Sequence, residues 1–160
     1  YAAGFCLKLI TIHREDFLME IKKYKELPHS KSILIADKDA FETFLLTGHE
    51  NLITGLYEDV YLTPDIYQHF VKNLDIKVLK RFNEFAKEIE YNASDIAIRS
   101  ILEQNQMMLK DEGFAVIAAM MNKMDVFIDD PRKAAVFEAR SVHVVRPSEL
   151  IMAAATTECE

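Results

Sequence analysis

Cysteine is scarce in this chain: there are two, Cys6 and Cys159, near opposite ends. Two thiols so placed build neither a disulfide framework nor a zinc site, so the expected setting is a reducing cytoplasm. Also missing is any apolar run of the roughly 18 residues that a membrane helix requires, because charges interrupt each one. No membrane partner is expected. A basic balance is absent as well, the formal charge being −7 at pH 7. That argues against a broad nucleic-acid-binding face, which draws on an excess of Lys and Arg. It leaves room for an enzyme that holds cations in an acidic cleft and grips substrate with a few bases. Lys77, Lys80 and Arg81, and separately Arg132 and Lys133, are candidates for that grip, though solvated helix faces account for them better. The first residues, Tyr1-Ala2-Ala3-Gly4-Phe5, offer neither an initiating Met nor a basic segment ahead of an apolar stretch. No signal peptide is expected, and the chain reads as starting inside a longer product.

What is there is a globular balance, 50% hydrophobic and 28% charged, over 160 residues. This suits one domain rather than a disordered chain. Residues 1–31 read as an N-terminal extension, with a strand or buried segment at 4–12 and a helix at 14–27. Residues 32–152 read as the domain proper, and 153–160 as a frayed tail. Ser32-Ile33-Leu34-Ile35-Ala36 is apolar on both faces, as a central parallel strand is. A helix at 40–46, a short one at 51–56 and a second strand at 59–62 follow. Pro64 opens a helix through Leu74, proline being tolerated in a first turn. Ile76, Leu79, Phe82, Phe85 and Ile89 step by three and four, as do Ile98, Ile101 and Leu102. Asn92-Ala93-Ser94 between them predicts a helical hairpin, with Ser94 as an N-cap rather than the marker of a glycosylated Asn92. A helix from Glu112 to about Asn122, a strand at 126–128, a helix at 131–140, a strand at 143–145 and a last short helix from Pro147 complete the series. Alternation of this kind predicts a three-layer α/β/α fold with a mainly parallel central sheet.

In open α/β sheets, ligands bind beyond the carboxyl ends of the strands. Acids stand there repeatedly: Asp37 and Asp39 after the first strand, Asp129 and Asp130 after the strand at 126–128, and Glu112 in a first helical turn. Gathered at one edge, such carboxylates raise one another's pKa unless a cation sits among them, and oxygen-only ligands favour Mg²⁺ or Mn²⁺. Each acid taken singly has a plainer use. Asp130 before Pro131 is a ready helix N-cap, and Glu112 complements a helix dipole.

The ordered series resembles the PIN-domain family of metal-dependent ribonucleases, which includes toxins of toxin–antitoxin pairs. The likeness runs from Ile33 to Ile151. It is carried by Ile33-Leu34-Ile35-Ala36-Asp37 with its immediate helix, and by Asp59-Val60-Tyr61-Leu62-Thr63-Pro64 with the helix after it. Asp111-Glu112-Gly113-Phe114 and Val126-Phe127-Ile128-Asp129-Asp130 extend it. The resemblance implies Asp37, Glu112 and Asp130 as catalytic residues and, with Asp129, as ligands of Mg²⁺ or Mn²⁺. It implies single-stranded RNA as substrate, with an antitoxin-like protein or a second copy of the chain as candidate partners. Two positions depart from the pattern: Gln68 and His69 occupy the neighbourhood of a usual glutamate, and Phe114 stands where a second acid often lies. These departures imply weakened or absent cleavage. Two other readings therefore stand beside the ribonuclease: a PIN fold kept as a non-catalytic binding or assembly module, and a phosphohydrolase resembling the haloacid dehalogenase superfamily. In the last, Asp37 is the nucleophile, Asp39 the acid/base, Thr63 and Lys110 bind phosphate, and Asp129 with Asp130 hold the metal. Against it, an apolar helix follows Asp39 at once, and Lys110 has no obvious strand or loop to bring it to the site.

Overall fold

The computed structural model describes residues 27–90 and 92–159. The strand expected at 4–12 and nearly all of the helix expected at 14–27 lie outside them. Five strands form one all-parallel sheet: β1 (Ser32–Ile35), β2 (Asp59–Leu62), β3 (Ala86–Glu88), β4 (Asp125–Phe127) and β5 (Val144–Val145), in the order β3-β2-β1-β4-β5. Among the described residues, eight helices cover the sheet: α1 (Lys38–Leu46), α2 (Asn51–Thr54), α3 (Pro64–Asn73), α4 (Ile76–Phe85), α5 (Asp95–Gln104), α6 (Lys110–Asn122), α7 (Pro131–Glu138) and α8 (Pro147–Cys159). This is the three-layer α/β/α fold. None of these helices is long and apolar enough to cross a membrane.

Alternation along each strand divides the core. Leu34, Val126 and Val144 face one layer, where Ile98 and Ile101 of α5, Ala115 and Val116 of α6 and Phe137 of α7 pack. Ile33, Ile35, Phe127 and Val145 face the other, meeting Phe41 and Phe44 of α1, Phe70 of α3 and Phe82 of α4. Phe41 stands edge-on to both Phe70 and Phe127, at centroid distances of 5.7 and 6.2 Å, a preferred aromatic arrangement. Helix starts obey local chemistry. Asp75 accepts from the N–H groups of Lys77 and Val78, Ser94 from Ala97, and Pro64 begins α3. Gly113 lets α6 lie close on α5; a Cβ there would come within 3.1 Å of Leu102 Cδ2.

Two expectations need correction. The helical hairpin is interrupted: α4 ends at Phe85 and Ala86–Glu88 turn extended to pair with Val60–Leu62 as an edge strand. The apolar step from Phe85 to Ile89 suits a helix, and a strand bearing Lys87 and Glu88 carries the charges that edge strands use. Lys87 Nζ meets Asp59 Oδ1 at 2.7 Å and lies over the Tyr61 ring. The second correction concerns the tail. α8 continues to Cys159, with Ala153, Ala155 and Thr156 buried and the Thr156 hydroxyl bonded back to Met152 O and Ala153 O, both at 3.0 Å.

At the amino ends of the strands, buried Asp125 is a junction. Its Oδ2 accepts from Tyr57 O–H at 2.7 Å and from His29 N–H at 3.0 Å, and His143 Nδ1 stands 3.8 Å away. The last distance allows charge attraction but not a hydrogen bond. The His29 ring stacks on that of His143, 3.7 Å between centroids. Burial pushes the Asp125 carboxyl up, but His143, Tyr57 and the His29 N–H together hold it below its usual range. Asp125 raises His143 against the effect of its own partial burial, with Glu149 and Glu138 adding to the lift. The sign of the linkage follows. A raised His143 contributes stability that is complete below its unfolded pKa of about 6.5 and lost as pH rises through the folded value. A depressed Asp125 contributes stability present above about pH 3.9 and lost as pH falls through its folded value. Thermal melts should therefore show the parent losing stability as pH climbs above about 6.5, with His143→Gln nearly flat over the same range. An equal slope in both proteins would show that another group carries the dependence.

Candidate active site

The carboxyl ends of β1 and β4 open into a cleft of about 740 Å³. β1 and β4 are neighbours whose chains leave toward opposite sides of the sheet order, the place where α/β proteins hold ligands. Asp37, Asp39, Asp65, Asp111, Glu112 and Asp130 line it, together with Lys38, Lys110, Lys133 and His69. Of the acids singled out from sequence, Asp37, Glu112 and Asp130 all face this space. Asp129 is not part of the lining.

Each acid arrives with a structural duty. Asp37 caps α1 through Oδ1, accepting from Ala40 N–H at 3.1 Å, while its Oδ2 accepts from Asp129 N–H at 3.0 Å. Asp130 caps α7, accepting from Arg132 N–H at 2.9 Å. That N–H, with the Lys133 N–H and the two basic side chains, holds the Asp130 carboxyl below its usual range. Asp129 turns to Arg146, whose Nη2 lies 3.2 Å from Oδ1 and also donates to the Asp129 carbonyl. Glu112, 9% exposed, accepts from Leu109 N–H at 2.7 Å through Oε1 and meets Lys133 Nζ at 2.7 Å through Oε2.

Asp65, Asp111 and the placement of Lys133 against Glu112 were not anticipated. Asp111 accepts a short hydrogen bond from the Thr63 hydroxyl, and Asp65 N–H points at its other oxygen from 3.4 Å. Burial pushes the Asp111 carboxyl up, against the lowering effect of Thr63. A signal for Lys133 did exist: it stands three residues after a cap, in the first turn of α7, which faces the strand ends. Lys110, for which the sequence offered no route to the site, is the first residue of α6 and lines the cleft. Arg81, a candidate for substrate grip, is instead tied to Glu50 Oε1 and Leu45 O, both at 2.7 Å. Gln68 reaches Glu88 at 3.4 Å and does not line the cleft, while His69 does. Phe114 packs against the core cluster of α5 and α6.

All-oxygen donors suit a hard cation such as Mg²⁺ or Mn²⁺. Their positions do not: among the described residues, no three Asp, Glu, His or Cys side chains converge closely enough to hold a metal ion. Both oxygens of Asp37 and both of Glu112 are already engaged, the latter partly by an ammonium. Comparison with protein-family models and with curated proteins finds no match for the chain.

The capping geometry has a direct test. Asp37→Ala should lower stability by about 1–2 kcal/mol in urea unfolding, the range for a lost N-cap. Asp37→Asn retains a capping oxygen and should lose less. Equal losses would show that the α1 cap is not what Asp37 contributes.

Proposed function

We propose that this cleft binds single-stranded RNA as a ribonuclease of the PIN kind whose Mg²⁺- or Mn²⁺-dependent cleavage is weak or lost, since no three of its described acids converge on a cation. The observation that carries the reading is the meeting of Asp37, Glu112 and Asp130 with Lys38 and Lys110 in one cleft at the β1–β4 crossover. A volume of about 740 Å³ falls within the ordinary range for a small-molecule site and admits a nucleotide-sized unit. Lys38 supplies a point charge for phosphate oxygens. Burial raises the Asp111 carboxyl, which makes it a candidate for proton transfer within the cleft. Gln68, turned to Glu88, adds no charge, which fits slow turnover. A cytoplasmic setting and an antitoxin-like protein partner belong to the same reading.

One observation favours the phosphohydrolase alternative: Lys110 and Asp37 share the cleft. Another opposes it. The Thr63 hydroxyl, which that chemistry assigns to phosphate, is buried and spent on Asp111. An Asp37 nucleophile would displace an alkoxide from a phosphomonoester, forming an aspartyl-phosphate that water then opens to inorganic phosphate.

Assays on single-stranded RNA in Mn²⁺ and on small phosphomonoesters separate the two. The expected result is slow RNA cleavage, abolished by Asp37→Asn and little changed by Lys110→Ala, with phosphomonoesters left intact. Phosphomonoester turnover lost on Lys110→Ala would transfer the assignment to the phosphohydrolase. Inertness toward both substrates would leave the non-catalytic module.

A further inference from the structure

The cleft is poorly charged for gripping RNA. Six carboxylates line it against three ammonium groups, one of which, that of Lys133, is taken by Glu112 at 2.7 Å. A phosphate backbone is drawn to Lys and Arg and repelled by such an edge. Its affinity must come from cations beyond the acids, and α3 leads to a set of them. Asp65, Ile66 and His69 place the first turns of α3 in the cleft wall. Lys72 follows His69 by three residues, so the two are neighbours on one helix face. The ten residues of α3 span about 15 Å. Just past its end α4 begins with Ile76 and Lys77, and Lys80 follows one turn on. α4 lies against α3 through Phe82, whose ring stands 5.6 Å from those of Tyr67 and Phe70.

Lys72, Lys77 and Lys80 are exposed, and among the described residues no carboxylate pairs with any of them. The acid nearest in sequence, Asp75, is engaged by its own helix: its Oδ1 accepts from Lys77 N–H and Val78 N–H, each at 3.0 Å. Ile76 is 84% exposed. An apolar side chain so placed offers contact to an unstacked base, which a single strand presents and a duplex hides.

We propose that Lys72, Lys77 and Lys80, with Ile76 among them, form a narrow track for single-stranded RNA that continues the cleft along α3 onto α4. The inference rests on the reading of the cleft as an RNA site. The track holds the backbone that flanks the segment entering the cleft, and its hold needs no divalent cation.

Fluorescence anisotropy of a labelled single-stranded RNA, titrated with the full chain in EDTA over a series of NaCl concentrations, tests this. For a single strand, log K falls with log[salt] by about 0.7 for each phosphate neutralised. Each of Lys72→Gln, Lys77→Gln and Lys80→Gln should make that slope shallower by about 0.7, and the triple variant by about 2. Lys123→Gln, just before β4 at the amino ends of the strands, should leave it unchanged. Poly-glutamate should displace the RNA poorly, since it offers no base to Ile76. A second readout uses the parent alone. Reductive methylation followed by peptide mass spectrometry should show Lys72, Lys77 and Lys80 shielded by RNA and Lys123 not. This holds even where a variant fails to fold. RNA binding by the parent without shielding of the three lysines, or with the slope unchanged in the triple variant, would overturn the track and leave the cleft reading intact. So would an equal change in Lys123→Gln. Displacement by poly-glutamate as effective as by unlabelled RNA would give the surface to an acidic protein segment and overturn the RNA track. No RNA binding by the parent would overturn the cleft reading and the track with it.

Discussion

The carboxylate of Asp37 ties the molecule together at its working edge. One oxygen accepts the Ala40 N–H that begins α1, and the other accepts the Asp129 N–H that follows β4. A single charge thus completes a helix start and locks the exits of two adjacent strands at a fixed separation. β1 is the centre of the sheet, so its exit is the point from which both layers of helices are placed. A helix N-terminus favours negative charge through its unpaired N–H groups and its dipole. Asp130 at α7 accepts a backbone N–H from the first turn of its own helix, and Glu112, within the first turn of α6, accepts the N–H of the cap residue Leu109. The acids of the cleft are there because three helices start there.

The opposite edge is secured by another carboxylate and works differently. Asp125 collects an O–H, an N–H and a nearby imidazole from segments preceding three other strands. Its partners converge on one buried charge, whereas the acids of the cleft are spread round an open space. The first arrangement suits a structural clamp, because every partner lowers the energy of the same ion. The second leaves charge to be met by something that arrives. The open cleft and the clamp thus lie at the two ends of the strands, the cleft at the carboxyl ends where sheets of this kind hold ligands.

The parts of the fold that sequence reasoning reached are those with local signals. Apolar Ile33–Ile35 reads as a buried parallel strand, Pro64 as a helix start, and Ser94 and Asp130 as caps, because each cue acts within four residues of itself. The segment of β3 suggests helix in sequence because Phe85 and Ile89 continue the step of three and four. Only its pairing with Val60–Leu62, more than twenty residues away, makes it a strand. α8 was cut short for a related reason: Ala153 and Ala155 carry no strong signal until a neighbouring layer covers them. In the cleft, Asp37, Glu112 and Asp130 could be named from their positions after strands or at helix starts. Which way each carboxylate turns depends on contacts between elements, such as Lys133 of α7 with Glu112 of α6 and Thr63 before α3 with Asp111. Spacing along the chain cannot express these contacts.

Capping and ion pairing take up the oxygens of these acids, and the two uses shape the cleft differently. A carboxylate has about four lone-pair directions, so one that caps a helix can still serve a cation if its other oxygen is unclaimed. Asp37 spends its second oxygen on the Asp129 N–H, and Glu112 spends its second on Lys133. The two commitments differ in kind. The first joins backbone to backbone through a rigid side chain, and releasing it would loosen the β1–β4 exit. The second ends on a mobile ammonium that water can receive. Six acids at one edge would repel strongly without counter-charge, and three lysines stand in the same cleft. Lysine neutralises a carboxylate without locking it in one geometry, so the Lys133–Glu112 pair compensates a nearly buried charge at the wall of an open cleft.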